Sequence, residues 1–218
     1  VRKPASFLIA LGLGIAAAIS GATSALADPI TYTMVGTGAS GSLEGTMFSN
    51  ATVTLTTMMY DTMNIVNAAP TFFNPGQPGQ LTTVTVVQTG APTLTATFSD
   101  ILTVYTSVLD PTMFPPPNGP FVAFFDPNVL GGLDILDNFS PSFAGYDLTS
   151  IASTTGAAAI SPNIEFPTTD GDYFSLSATA TATFTATTPT QSTPEPSSLA
   201  LLAVPLAGLV VIRRRKTS

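Results

Sequence analysis

The chain has 218 residues, a length that fits one domain plus targeting segments. Its six basic residues, Arg2, Lys3, Arg213, Arg214, Arg215 and Lys216, lie at the two ends, while its thirteen acidic residues run from Asp28 to Glu195. Residues 28–212 thus hold no Lys, Arg or His: side-chain salt bridges are excluded there and nucleic acid is ruled out as a partner. The lack of cysteine removes disulfides, thiolate catalysis and Cys-based zinc sites.

The chain opens with a targeting pattern. Arg2 and Lys3 form a charged n-region, and Phe7 to Ile19 is an apolar run of thirteen residues. Ala25 and Ala27 place small side chains where a signal peptidase reads them, with the cut expected before Asp28. The run is short for a membrane span. Residues 1–27 are therefore predicted to be a signal peptide that hands the chain to the Sec machinery and signal peptidase.

Residues 28–188 are predicted to form an all-β extracytoplasmic domain, because alternation with period two is common and the helical period is scarce. Candidate strands, in order, are ITYTMVG, GSLEGTMFS, ATVTLTTMM, LTTVTVVQT, PTLTATFSD, ILTVYTSVL, PFVAFFD, LDILDN and SFAGYDLTSI. NAAPTFFNPGQPGQ and DPTMFPPPNGP read as loops from their Pro and Gly content. The cleanest alternation is YFSLSATATATFTAT, read as one long strand. Phe174, Leu176, Ala178, Ala180, Ala182, Phe184 and Ala186 face one way, and hydroxyl residues face the other. About ten such strands predict a β-sandwich of jelly-roll-like type. An outer-membrane barrel shares the alternation, but the Pro-rich loops and the apolar C-terminal run argue against it.

Several residues in this body merit a chemical reading. Asp126, Asp134, Asp137, Asp147 and Glu165 are carboxylates of the kind a glycoside hydrolase pairs. Ordinary turn chemistry is the simpler account of three of them, since Asp126 precedes Pro127, Asp134 lies near Gly132 and Asp137 precedes Asn138, and nothing fixes two carboxylates opposite one sugar. A calcium site would draw on Asp170 and Asp172, around Gly171, and on Asp134 and Asp137, although EF-hand spacing is absent and a solvated Asp-Gly turn explains the first pair. The threonines from Thr179 to Thr185 present hydroxyls suited to sugar or ice, yet Thr also suits any exposed sheet face, and one strand is not an array. Asn50-Ala51-Thr52 and Asn138-Phe139-Ser140 match the N-glycosylation pattern. With no His, Lys, Arg or Cys in the body, most acid–base and nucleophile designs lack their usual members, and no catalytic residue is assigned.

Residues 189–198 form a Pro/Thr/Ser-rich linker, 199–212 an apolar segment and 213–218 a basic tail. Ser197 to Ile212 carries no charge, and as a helix it covers about 24 Å, slightly short of a bilayer core. Arg213, Arg214, Arg215 and Lys216 form a stop-transfer cluster whose long side chains snorkel and recover reach. The segment is predicted to be a single transmembrane helix with the tail in the cytoplasm and the body outside. Pro194 and Pro196 fix φ and disfavour helix before them, so Glu195 is held extended just outside the membrane.

Pro194-Glu195-Pro196, a short span and a terminal Arg cluster together resemble the PEP-CTERM sorting signal of Gram-negative bacteria. Thr193 stands where many members have Val. The resemblance implies an exosortase-like membrane transpeptidase as partner and processing near the tripeptide. It also implies anchoring in the inner membrane before processing, then a place on the cell surface or in the extracellular matrix. TYTMVGTGASGSLEGTMFSNATVTLT is similar to the start of a body recurrent among such proteins, with Gly41, Gly45, Phe48 and Ala51 at the matching places. GYDLTSI and the Thr-rich last strand look like its later parts. This likeness implies no enzymatic activity. The functional expectation is a non-enzymatic exported protein acting by adhesion or by association with extracellular polysaccharide. A carbohydrate-binding module or weak hydrolase and a calcium-binding surface protein stand as alternatives.

Overall fold

The alternating segments become strands of one antiparallel sheet in the computed structural model, which describes residues 29–68, 71–107 and 119–188. The strands are β1 (Pro29–Leu43), β2 (Thr46–Asp61), β3 (Val66–Ala68), β4 (Thr71–Asn74), β5 (Thr82–Val87), β6 (Leu94–Thr97) and β7 (Thr103–Ser107). After them come β8 (Phe121–Asp126), β9 (Leu133–Phe139), β10 (Ala152–Ala159), β11 (Phe166–Pro167), β12 (Tyr173–Ala178) and β13 (Thr181–Thr187). The main path runs β3-β4-β7-β8-β9-β10-β13-β1-β2-β5-β6, with β12 pairing β1 and β11 pairing β12.

The first hairpin shows how local chemistry sets this pattern. Glu44 (φ 51°) and Gly45 (φ 73°) both take left-handed backbone, the two-residue geometry that matches strand twist. GSLEGTMFS is therefore the end of β1 and the start of β2 joined by a two-residue turn, rather than one strand. Gly41 is required for a different reason: a Cβ there would lie 2.0 Å from the Ser175 carbonyl oxygen of β12.

The sheet doubles over, so that β1, β2, β5 and β13 share an interior with β4, β7, β8 and β9. Ile30, Tyr32 and Met34 of β1 face inward, as do Val53 and Leu55 of β2, Val84 and Val86 of β5, and Phe184 and Ala186 of β13. Val104, Phe124 and Leu136 come from the other layer. Each fully buried side chain of the Leu or Phe class contributes about 2–3 kcal/mol, which lets a body without disulfides hold together. The Tyr32 hydroxyl ties the layers: it donates to the Leu148 carbonyl at 2.8 Å and accepts from Asn74 Nδ2 at 3.0 Å. The Tyr60 hydroxyl likewise donates to the Leu102 carbonyl. Burial pushes the Tyr60 hydroxyl pKa up to about 12 and that of Tyr32 higher still, so both remain donors. The body is all-β and sandwich-like, with an apolar interior, whereas a transmembrane barrel of this size carries its apolar belt outside.

One end of the sheet curls further. Beyond β6, Phe98 bridges Thr168, the Thr169 amide donates to the Thr97 carbonyl (2.8 Å), and the Ser99 amide donates to the Pro167 carbonyl (3.0 Å). These bonds join β6 to β11 and so close a ring through β12, β1, β2 and β5. Phe48, Phe98 and Phe174 fill that ring, with Phe98 edge-on to Phe174 at 5.8 Å.

Three local expectations change. YFSLSATATATFTAT is split at Thr179–Ala180 into β12 and β13, opposite a bulge in β1, where Gly38 takes positive φ and β1 shifts register on β2 between Gly36 and Ala39. Ala178 and Ala180 are exposed at that break. SFAGYDLTSI is not a strand: Ser140 caps a 3-10 turn over Pro141–Phe143, and Gly145 and Leu148 then take positive φ. The supposed loop NAAPTFFNPGQPGQ carries β4, where Phe72 and Phe73 pair Thr106 and Tyr105 of β7.

Candidate functional site

Because side chains alternate, the outer surface of the doubled sheet is decided strand by strand, and it divides into two chemically distinct regions. The first lies on β4, β7, β8 and β9. Phe73 stacks on Tyr105 at 5.7 Å. Tyr105 meets Phe121 edge-on at 5.4 Å and Phe125 at 5.7 Å, and Phe121 stacks on Phe139 at 5.0 Å. Asp134 and Asp137 point to this same side of β9, opposite Phe125 and Ala123. The Tyr105 hydroxyl donates to the Asp134 carboxylate, 2.9 Å from each oxygen. Both carboxylates are buried, Asp137 fully. They lie within the strand read as LDILDN and not in turns; β9 continues through them to Phe139, with Leu136 and Asn138 filling the interior on alternate positions.

The second region covers β10, β13, β1, β2, β5 and β6. Strand register sets Ser153, Thr185, Thr33, Thr56, Thr83 and Thr97 side by side in one row. The next row is Thr155, Thr183, Val35, Thr54, Thr85 and Thr95. Neighbouring hydroxyls bond across strands: Thr155 to Thr183 at 2.8 Å, Thr37 to Thr181 at 2.8 Å and Thr85 to Thr95 at 3.5 Å. No charged residue interrupts either row. The ladder read on one strand is thus part of a lattice six strands wide. Thr at alternate positions of each strand was visible in the sequence, but alignment of the strands was not.

The remaining carboxylates are scattered. Asp126 ends β8 on the inward face, opposite to that of Asp134 and Asp137, and is fully buried. Its Oδ1 accepts from the Asn128 amide at 2.9 Å, so the turn reading holds for this residue. Burial raises its pKa; the Asn128 amide opposes this and the nearby Asp100 charge adds to it. Asp147 lies in the loop after the 3-10 turn, and its pKa is lowered chiefly by the Thr149 hydroxyl at 2.7 Å. Asp170 and Asp172 sit in the turn before β12, near Glu44 of the first hairpin tip. The Glu44 pKa is raised by desolvation first, then by Asp170 and Asp172. Asp134 and Asp137 belong to β9 and do not join that turn; among the described residues no three His, Cys, Asp or Glu side chains are arranged to hold a metal ion.

Two further features bear on ligands. A hollow of about 270 Å³ lies between β2 and the β5–β6 hairpin, lined by Met47, Phe48, Val86, Gln88, Pro92 and Leu94, with no titratable group. Of the two glycosylation patterns, Asn50 is exposed, whereas Asn138 is fully buried with its Nδ2 donating to the Thr154 carbonyl at 2.7 Å. The second pattern is closed to modification in the folded chain. Ala25 and Ala27, the sorting tripeptide Pro194, Glu195 and Pro196, and the cluster Arg213, Arg214, Arg215 and Lys216 lie outside the described residues. Among the described residues no helix is long and apolar enough to cross a membrane.

No family model, no curated protein and no solved structure matches this chain.

Proposed function

We propose that this is an exported, non-enzymatic protein of the cell surface or extracellular matrix. In this reading the body is a jelly-roll-like β-sandwich, preceded by a signal peptide over 1–27. It is followed by the sorting tripeptide, a single membrane helix over 199–212 and a basic cytoplasmic tail. An exosortase-like enzyme processes the tail near Pro194–Pro196, and the body then associates with extracellular polysaccharide or acts in adhesion.

The observation that carries the reading is the charge map: every cation lies at an end, and the body between has carboxylates only. The Arg cluster behind an apolar run suits a stop-transfer signal and fixes orientation. The same map leaves the body without the cationic or imidazole members that most active sites use. The carboxylate geometry supports the non-enzymatic half of the reading. Hydrolysis of a glycoside needs two carboxyl groups flanking one bond. Asp126 lies on the opposite side of the β8–β9 pair from Asp134 and Asp137, and the two that share a side are buried, with Asp134 accepting from the Tyr105 hydroxyl.

Deletion of residues 194–218 in a Gram-negative host tests the reading. The body is expected to leave the membrane fraction and collect in the periplasm or medium. Unchanged retention at the membrane or surface would refute it.

A further inference from the structure

We propose that the hydroxyl lattice on β10, β13, β1, β2, β5 and β6 is a binding face for an uncharged polysaccharide chain. This rests on the matrix-associated reading above and names the surface and ligand class that serve it.

A single threonine ladder has an ordinary explanation, since Thr suits any exposed strand. Six adjacent strands in register are a different object. Strands stand about 4.8 Å apart and like-facing residues about 6.7 Å apart along each strand, so the two rows form a two-dimensional lattice of hydroxyls and methyls. Every hydroxyl there offers both a donor and an acceptor, as sugar hydroxyls do. Hydroxyl pairs such as Thr155–Thr183 and Thr37–Thr181 use part of that capacity across strands and retain part for a ligand.

Charge selects the class of ligand. The rest of the body carries carboxylates and no cation, so an anionic polymer is repelled wherever it lands. The two rows hold no charge, so a neutral polymer meets neither repulsion nor the cost of desolvating an ion. Shape selects between a polymer and a crystal surface. Successive strands rotate by roughly 20–25°, so six strands do not present one plane. A rigid lattice such as ice would match only a few strands, whereas a chain with rotatable linkages can follow the twist. Each contact is weak, and many along one chain supply the retention.

The test uses the full-length chain in detergent, with co-sedimentation on insoluble cellulose, competition by soluble dextran and alginate as the anionic control. The expected result is binding to cellulose that dextran competes for, little dependence on salt, and no competition by alginate. The variant T33V/T56V/T85V/T183V removes four hydroxyls and retains strand propensity. It is expected to lose at least about tenfold in affinity, little more than the worth of one net hydrogen bond. The matching Thr→Ser variant keeps the hydroxyls and should retain binding, which separates loss of the hydroxyls from loss of the fold. Binding by the Thr→Val variant equal to the parent overturns the proposal, as does failure of the parent to bind any neutral glycan. Self-association of the parent that the Thr→Val variant abolishes also overturns it, because a second copy would then occupy the face. Membrane release on tail deletion is read separately, so the location can stand while this face fails.

Discussion

The two halves of the outer sheet surface are built from the same backbone and oppose one another chemically. On β7, β8 and β9 the outward positions are filled by Tyr105, Phe121, Phe125 and Phe139 around two buried aspartates. On β13, β1, β2 and β5 they are threonines that stay in reach of water. β8 and β9 are therefore apolar or buried on both sides, whereas β1 and β13 keep one greasy and one hydroxyl side. The difference teaches that alternation marks only strands with one wet face. FVAFFD and LDILDNF lose the pattern because both of their faces are covered.

Removal of an aromatic ring should break this contrast most severely. Phe121→Ala empties a site that contacts Tyr105 and Phe139 and is 1% exposed. The expected loss is about 3–5 kcal/mol by denaturant unfolding. A loss under about 1 kcal/mol would mean that the aromatic side behaves as free surface, like the threonine side.

Acidity sharpens the comparison next, because charge lies on the inward and aromatic parts and not on the hydroxyl rows. The Asp126 pKa is raised in the folded state, first by burial and further by Asp100. The native state then holds the proton more tightly than the unfolded chain. Its contribution is complete below the unfolded carboxyl value, near 4, and is lost as pH rises through the folded value. Glu44 acts in the same direction, and Asp147, whose pKa is lowered, acts against it. The Asp126 contribution should therefore grow as pH falls through its folded value, opposing the usual acid weakening. Asp126→Asn should stabilise the chain at pH 7 by something on the order of 1 kcal/mol and flatten that rise. Melting curves of the parent and of Asp126→Asn that keep a constant separation across pH 4–8 would contradict this.

The smallest effect is expected on the hydroxyl face. Thr54→Val with Thr85→Val keeps β-branching and removes no buried partner, so unfolding should shift by no more than about 0.5 kcal/mol. A larger loss would show that the lattice is structural, and its neutrality would then need another explanation.

Much of this body is legible in the sequence, for a physical reason that varies along the chain. Phe174, Leu176, Phe184 and Ala186 fall on the buried side that their alternation predicts, because period two is a local property. The break at Thr179–Ala180 is not legible there, because it lies opposite a bulge in β1 more than a hundred residues earlier. β4 was hidden by its flanking prolines. Its pairing with β7 and the Phe73–Tyr105 stack justify it, and neither is a neighbour in sequence. Asp134 and Asp137 looked like turn residues because Gly132 and Asn138 stand beside them; burial inside β9 reflects what β8 and β10 require on either side.

By itself the sequence determined the all-β class, the confinement of every cation to the two ends, and the one-greasy, one-hydroxyl character of individual strands. These follow from composition and from a period of two residues, which no partner strand can alter. Tertiary structure decided what those strands do together: the folded-over sheet, the ring closed by Phe98 and Thr168, and the gathering of aromatics with Asp134 on one side. It also turned separate ladders into rows six residues wide. Register is a long-range property fixed by pairing and packing, so single threonines became a lattice only when β10, β13, β1, β2, β5 and β6 came side by side.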